Sequence, residues 1–576
     1  MIALLRTYLR PYRRALALVV ALLTVQALAT LYLPELNGEI INNGVAKGDT
    51  AYILSTGALM LGISLVVVVA SIIAVYWGSK TGMAFGRDLR GAIFGKVESF
   101  SQAELNRFGT PSLITRNTND VQQVQMVVLM GLNMMIIAPI LAVGGVIMAL
   151  RQDVPLSGIL VVVLPVMALI VGLLMARALP LFQAMQVKID RVNQVTREAL
   201  SGVRVIRAFV RTQHEEERFD VANRDLTATS LRVNRLFALM IPLLMAVFNL
   251  SSVAILWFGS IRVDSGEMPI GNLIAFLQYV MQILFAVMMA VFMFVLVPRA
   301  VVSSARIQEV LRTQPAIDDP AVPAQSPPKR GRLAFEDVEF RYPGAQDPVL
   351  RDISLVIEPG RTTAIVGSTG SGKSTLINLI PRFYDVTGGS LAIDGVDVRE
   401  LRREDVWARI GLIPQKAFLF GGTIATNLRF GKADATDEEL WDALRIAQAD
   451  AFVHDLPEGL DAPVTQGGAN LSGGQRQRLA IARALVKRPE IYVFDDSFSA
   501  LDFKTDSLLR AALAREIAGA TIVIVAQRVG TIMGADRIVV LDGGTIEGSG
   551  THLELMATCE TYREIVYSQL SSDEAA

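Results

Sequence analysis

Six apolar stretches in the first half of the chain constrain its fold more than any other feature. They fall near 15–36, 52–78, 126–149, 156–178, 236–260 and 268–298. Each reaches the roughly 20 residues that a bilayer crossing needs. Hydrocarbon offers backbone groups no partners, so such stretches cross as helices. The chain has 576 residues, 52% hydrophobic and only 19% charged, less polar than a soluble protein of this length. Its net charge of -1 gives no electrostatic case for a nucleic-acid partner. The single cysteine, Cys559, excludes a disulfide framework, a four-cysteine zinc site and a Cys-ligated iron–sulfur cluster. His214, His454 and His552 lie far apart and are expected on the surface or in loops.

Arg6, Arg10, Arg13 and Arg14 precede the first stretch, which is too long for a signal-peptide core. Residues 1–12 read as a short amphipathic helix on the inner membrane face. The connections near 37–51, 150–155 and 261–267 are short and poor in Lys and Arg. Those near 79–125 and 179–235 are long and basic, with Lys80, Arg87, Arg90, Lys96, Arg107, Arg197, Arg204 and Arg207 among others. The positive-inside rule places both long loops and the N-terminus in the cytoplasm. Six crossings then return the second half of the chain to that side. The expectation is a multi-pass protein of a bacterial inner (plasma) membrane, with the bilayer itself as a partner.

The long loops carry apolar residues at helical spacing, as in Asp88 to Phe100 and Gln183 to Phe209. Spans 2 to 5 are therefore expected to continue as helices into the cytoplasm, roughly 30 Å per arm. Two helical hairpins result, with tips near Phe108-Gly109-Thr110 and near His214, expected to contact the second half. No Asp, Glu, Lys or Arg lies within a span away from its ends, which argues against ion coupling. Gln26, Asn133, Asn249, Ser251, Ser252, Asn272, Gln278 and Gln282 are the uncharged polar residues there, and span 6 is rich in methionine. Two readings stand: an adaptable cavity for amphiphiles, or amide bonding between packed helices. A linker rich in Pro, Ala and Asp follows at 315–332, dividing a membrane domain at 1–314 from a globular domain at 333–570, with a tail at 571–576.

The globular half centres on GSTGSGKST: Gly367, Ser368, Thr369, Gly370, Ser371, Gly372, Lys373, Ser374 and Thr375. This matches G-x-x-x-x-G-K-[ST]. The glycines let backbone N–H groups turn toward phosphate oxygens. Lys373 supplies charge for the β- and γ-phosphates, and the Ser374 hydroxyl is placed to hold Mg²⁺. A strand-like TTAIV precedes the loop and a helix-like TLINLI follows it. The chain is thus expected to bind ATP with Mg²⁺. Tyr342 could stack on adenine. Gln415, after a strand-like run, could reach Mg²⁺ or an attacking water, and Asp495, ending the strand IYVF, could hold Mg²⁺.

The order of Tyr342, the phosphate loop, Gln415, LSGGQ (Leu471, Ser472, Gly473, Gly474, Gln475), FDD, SALD ending in Asp502, and Gln527 resembles the ATP-binding cassette (ABC) transporters. TRNTNDV (Thr115 to Val121) and EALSGVRVIRAF (Glu198 to Phe209) resemble the membrane domains of ABC exporter half-transporters. The resemblance implies an all-α six-helix transmembrane domain with long cytoplasmic extensions, followed by an α/β nucleotide-binding domain. It implies an ATPase coupled to transport, a translocase, working as a dimer. Each ATP would lie between the phosphate loop of one cassette and the LSGGQ of the other.

Two residues depart from that pattern. Asp496 stands where the family has the glutamate that orients the attacking water. Gln527 stands where it has the switch histidine, and an amide cannot carry a proton as imidazole does. Gln466 is a weaker third departure, at a position that is often acidic. Together they resemble the degenerate-site subunit of heterodimeric ABC exporters. The partner would supply consensus Glu and His, and this chain an intact Ser472 for the partner's site. A homodimer with slow hydrolysis and an inward-running transporter of the same fold are the alternatives. The substrate is expected to be apolar or amphiphilic, drug-like or lipid-like.

Overall fold

The computed structural model describes residues 1–570; the tail 571–576 and the side chains of residues 294 and 295 lie outside the described residues. The chain forms two compact units, Met1–Glu98 with Pro111–Thr313, and Ser99–Thr110 with Gln314–Ala576.

The first unit is helical throughout. After a short helix Ile2–Leu9 come long helices Arg13–Glu39, Thr50–Glu98, Val121–Gln152, Val154–Ser201, Thr212–Asp264 and Ile270–Arg312. Each apolar stretch falls on one of them, and among the described residues six helical segments are long and apolar enough to cross a membrane. The second, fourth and fifth long helices run for 49, 48 and 53 residues, far beyond a bilayer crossing, so the arms continue as the periodicity predicts. Small residues let backbones meet: a Cβ on Gly271 would lie 2.1 Å from the Gly38 carbonyl oxygen of the first long helix. Amides join the helices around that approach. Asn42 Nδ2 donates to Asn272 Oδ1 at 2.9 Å, and Asn272 Nδ2 donates to the Gln152 carbonyl at 3.3 Å. The TRNTNDV segment also has a structural task. Arg116 Nη1 reaches Glu309 Oε2 at 2.7 Å, and Asp120 Oδ1 accepts from Ser303 Oγ at 3.0 Å, tying the stem of the first hairpin to the sixth long helix.

The tip of that first hairpin belongs to the second unit. Ser101 and Glu104 form a capping box that starts the tip helix Gln102–Phe108. Asn106 Nδ2 donates to the Tyr384 hydroxyl at 3.1 Å and Arg403 Nη1 to the Ser99 carbonyl at 3.4 Å, so this tip meets the ATP-binding half as expected. The second tip, with helix Val203–Ala208, stays in the first unit. There Leu200, Val205, Phe209 and Val210 are exposed.

Among the described residues the second unit holds twelve strands: β1 (Leu333–Phe340), β2 (Leu350–Ile357), β3 (Thr362–Gly367), β4 (Gly388–Ile393), β5 (Val396–Asp397), β6 (Ile410–Ile413), β7 (Gly422–Thr423), β8 (Pro463–Val464), β9 (Ile491–Asp495), β10 (Thr521–Val525), β11 (Arg537–Asp542) and β12 (Thr545–Gly550). One sheet runs β2-β1-β4-β5 and is antiparallel; the larger runs β12-β11-β3-β10-β9-β6. In the larger sheet only β12 is antiparallel. The parallel strands are apolar along their length because both faces are covered. Register shifts after Phe335 interrupt the pairing of β1 with β2, beside Asp337 at φ 47°.

No helix or strand lies between Arg312 and Leu333, and this run is tethered to the second unit. Arg403 N donates to Asp319 Oδ1 at 2.9 Å, and the buried Arg409 bonds Ser326 Oγ at 3.2 Å. His552, expected on the surface, is 7% exposed, and its Nδ1 lies 2.8 Å from the Tyr562 hydroxyl. A polar ring can be buried where a hydroxyl satisfies it. His214 and His454 are exposed.

Candidate functional site

The sheet order gathers the motifs on one edge. β3, β10, β9 and β6 are parallel neighbours, so Gly367, Val525, Asp495 and Ile413 all end on the same side. The loops that follow carry the phosphate loop, Gln527, Asp496 and Gln415. Open α/β sheets bind ligands at this carboxyl edge.

The phosphate loop has the backbone its sequence requires. Gly370 and Gly372 take φ of 87° and 100°, and Gly372 opens the helix Lys373–Leu379. A Cβ on Gly367 would lie 2.1 Å from the Leu541 carbonyl oxygen on β11. Lys373 Nζ is held by the carbonyls of Gly367 and Ser368 at 2.9 and 2.7 Å, with Ser371 Oγ at 3.4 Å. Burial pushes the Lys373 ammonium down from its usual range, while the Asp496 and Asp495 carboxylates oppose that shift. Burial likewise pushes the Asp495 carboxyl up, the Asp496 charge adds to this, and Lys373 opposes it. A divalent cation would relieve the strain on Asp495, and phosphate oxygens that on Lys373.

The donor set fits Mg²⁺ and a nucleotide. Ser374 offers a hydroxyl, Asp495 a carboxylate and Gln415 an amide oxygen, all hard ligands. Among the described residues no group of three or more His, Cys, Asp or Glu could hold a metal alone. Mg²⁺ here would share its coordination with phosphate oxygens, as it does where few carboxylates are available. Tyr342 is half-buried, with its hydroxyl 3.0 Å from Thr375 Oγ1 and its ring edge-on to Phe340 and Tyr384. That fixes an aromatic beside the loop.

Ser472 caps the 15-residue helix Gly473–Lys487: its Oγ accepts from Gln475 N at 3.2 Å, and its N–H donates to Gln475 Oε1 at 2.8 Å. Leu471 is buried and anchors the turn, while Ser472 and Gly473 are exposed at the positive end of the helix. Asp502 caps the next helix, accepting from Thr505 N at 2.9 Å and Thr505 Oγ1 at 2.7 Å. Those bonds hold its carboxyl below the usual range.

Asp496 is the centre of the arrangement. Its backbone is left-handed at φ 45° and is locked by the Asp496 N–H donating to the Val525 carbonyl at 2.9 Å. Its Oδ2 accepts from Gln415 Nε2 at 3.0 Å and from Gln527 Nε2 at 3.0 Å. The structure therefore brings the two departures and Gln415 together on one oxygen. A residue missed in the sequence, Gln569, brackets the switch segment: its Nε2 donates to the Gln527 carbonyl at 2.8 Å, and its Oε1 accepts from Val529 N at 2.9 Å. Nothing local in the C-terminal helix marks that role.

A model of the ABC transporter transmembrane region matches residues 16–287, and an ABC transporter model matches 350–499. The chain belongs to the ABC transporters: a multi-pass membrane protein whose ATPase domain, fused to the membrane domain, couples ATP hydrolysis to transport. It is 50% identical to an uncharacterized ABC transporter ATP-binding protein of Mycobacterium tuberculosis (strain CDC 1551 / Oshkosh), over 99% of this chain and 98% of the relative. It is 33% identical to an ATP-dependent lipid A-core flippase of Chromobacterium violaceum, over 97% and 95% respectively. In fold it resembles a bacterial Atm1-family ABC exporter with ATP bound, at a TM-score of 0.79 and 23% identity, covering 98% and 99%.

Proposed function

We propose that this chain is one half of a heterodimeric ABC exporter, moves apolar or amphiphilic compounds outward, and supplies the weakly hydrolytic of two ATP sites. The observation that carries this is Asp496 Oδ2, which already accepts from both Gln415 and Gln527. A base that orients water must offer an oxygen to that water. Here the carboxylate is one methylene short, and one of its two oxygens is engaged by two amides that do not relay a proton as imidazole does. Phosphoryl transfer depends on positioning, and about 1 Å of misplacement costs roughly 10²-fold in rate.

In this reading Gly367 to Thr375 and Tyr342 bind ATP, and Ser374, Gln415 and Asp495 hold Mg²⁺ on this chain's nucleotide face. Ser472, Gly473 and Gly474 complete the active site of the partner. A partner half also suits the exposed Leu200, Val205, Phe209 and Val210 at the second hairpin tip, an apolar group that burial against another chain would stabilise. Outward transport of a lipid-like cargo is favoured by likeness to a lipid A-core flippase and to an exporter fold. The test is purification. A second half-transporter should co-purify at equal stoichiometry, and this chain alone should turn over little ATP. Robust hydrolysis by a homodimer would favour the slow-homodimer alternative and rule this reading out.

A further inference from the structure

Gln569 makes two bonds to one short piece of backbone. Its Nε2 donates to the Gln527 carbonyl at 2.8 Å, and its Oε1 accepts from Val529 N at 2.9 Å. The residue between, Arg528, is extended at φ -90° and ψ 120°. Across an extended residue the carbonyl before it and the N–H after it point to one side, where a neighbouring strand would pair with both. The sheet ladder has already ended here, because β10 stops at Val525. A side-chain amide, with a donor and an acceptor, takes the strand's place. Among the described residues no other side chain bonds the backbone of residues 526–529.

The clamp acts on what lies either side of it. Val529 opens the short helix Val529–Ile532, and Gln527 Nε2 reaches Asp496 Oδ2 at 3.0 Å. Val529 N belongs to the first turn of that helix, so it has no partner within it. Were Arg528 to wind into the helix, its ψ would go from 120° to about -40° and swing Gln527 away from Asp496. Gln569 holds both flanking groups and blocks that rotation. Its own place is fixed by the helix Glu560–Tyr567. Gln569 N donates to the Val566 carbonyl at 3.0 Å, and Tyr562 and Val566 are buried in the same apolar cluster as Val529 and Ile532.

We infer that Gln569 is a positioning residue, which aims residue 527 at Asp496 through the switch backbone. The helix Glu560–Tyr567 thereby shapes the nucleotide site without reaching it. This holds however hydrolysis is divided between this nucleotide face and its counterpart. Gln569 is exposed, so water competes for both bonds and the clamp is soft.

The experiment uses the assembled transporter in lipid nanodiscs. Hydrogen exchange of residues 526–533 reads the clamp itself. Gln569→Met keeps the length and loses both bonds, and should speed exchange at the Val529 amide roughly tenfold. Gln569→Glu keeps the acceptor for Val529 N and should fall between. Aim is read by turnover on this face in an Asp496→Glu, Gln527→His background, with the catalytic carboxylate of the opposite face removed. There Gln569→Met should lower kcat roughly tenfold and leave KM for ATP unchanged. With Gln527→Ala in place of Gln527→His, Gln569→Met should cost nothing. Melting temperature and ATP binding report that each variant is folded. Unchanged exchange or unchanged kcat in Gln569→Met overturns the inference. An equal loss of kcat with Gln527→Ala also overturns it, and makes Gln569 a brace for the fold only. Turnover no faster with Gln527→His than with Gln527→Ala overturns it too, since residue 527 would then have no aim to set. None of these results bears on the partner half, which co-purification decides.

Discussion

Asp496 and Gln527 should act as a unit, and restoring hydrolysis should need both. Consider this chain assembled with a partner whose own catalytic carboxylate has been removed, so that only this chain's nucleotide face can hydrolyse ATP. Asp496→Glu adds one methylene and carries the carboxylate about 1 Å toward the nucleotide. Gln527 and Gln415 still reach it, since both amides are 3.0 Å from Oδ2 now. The longer side chain therefore stays engaged by amides, and its rate should rise only severalfold. Gln527→His alone leaves a short carboxylate and should change little. Together the substitutions free one bond, lengthen the base and add a group that can carry a proton. Positioning and general-base catalysis each contribute about 10²-fold or more, so the pair should gain at least roughly 10²-fold. Single-turnover release of labelled phosphate reads this directly, and a double-mutant cycle gives the coupling. If Asp496→Glu alone recovers the full rate, the engagement by Gln527 is irrelevant. If the unsubstituted face already hydrolyses well, the site is not degenerate.

Three further outcomes are expected. Ser472→Arg should abolish ATP hydrolysis by the assembled transporter, because a guanidinium would fill the position facing the γ-phosphate of the other site; nucleotide binding at Lys373, followed by photolabelling, should persist. Asp495→Asn should raise the melting temperature of the nucleotide-free protein at neutral pH. The folded Asp495 carboxyl sits above its usual range, so the native state binds the extra proton and stability falls as pH rises through that window; the gain should shrink as pH is lowered toward ordinary aspartate values, and Mg²⁺-dependent ATP binding should weaken. Arg409→Ala should destabilise the second unit by about 3 kcal/mol in chemical unfolding. It strands Asp394, 2.9 Å away and equally buried, although backbone N–H groups of Arg330, Gly331 and Arg332 limit the loss.

The strongest sequence signals were local. Hydropathy located the six spans because a membrane helix must be apolar over its whole crossing. Strand–loop–helix punctuation located the phosphate loop because glycine is needed at its bends. LSGGQ was legible because Ser472 and Gln475 cap the helix they begin. Contacts between distant segments were not legible. Nothing near Asp496 reveals that Gln415 and Gln527 converge on one oxygen, since three strands of a parallel sheet make that meeting. Gln569 looks like any polar residue at a helix end until the switch segment is seen against it. The linker's composition gives no sign of its tethers, which are arginines far along the chain. His552 reads as a surface residue because its partner, Tyr562, is visible only in the fold.

The hairpin tip has a consequence for synthesis. Ser99–Thr110 is made early, yet its structural partners are made late: Asn106 and Tyr384 are 278 residues apart. At about 5–20 residues per second, a ribosome needs roughly 15–60 s to add that much chain. During that interval Asn106 and the Ser99 carbonyl lack the Tyr384 and Arg403 that bond them in the finished protein, and Ala103 lacks the apolar cluster it packs against. A cassette that folds slowly or is truncated therefore leaves the tip of the membrane half's first hairpin without the partners it has in the finished protein.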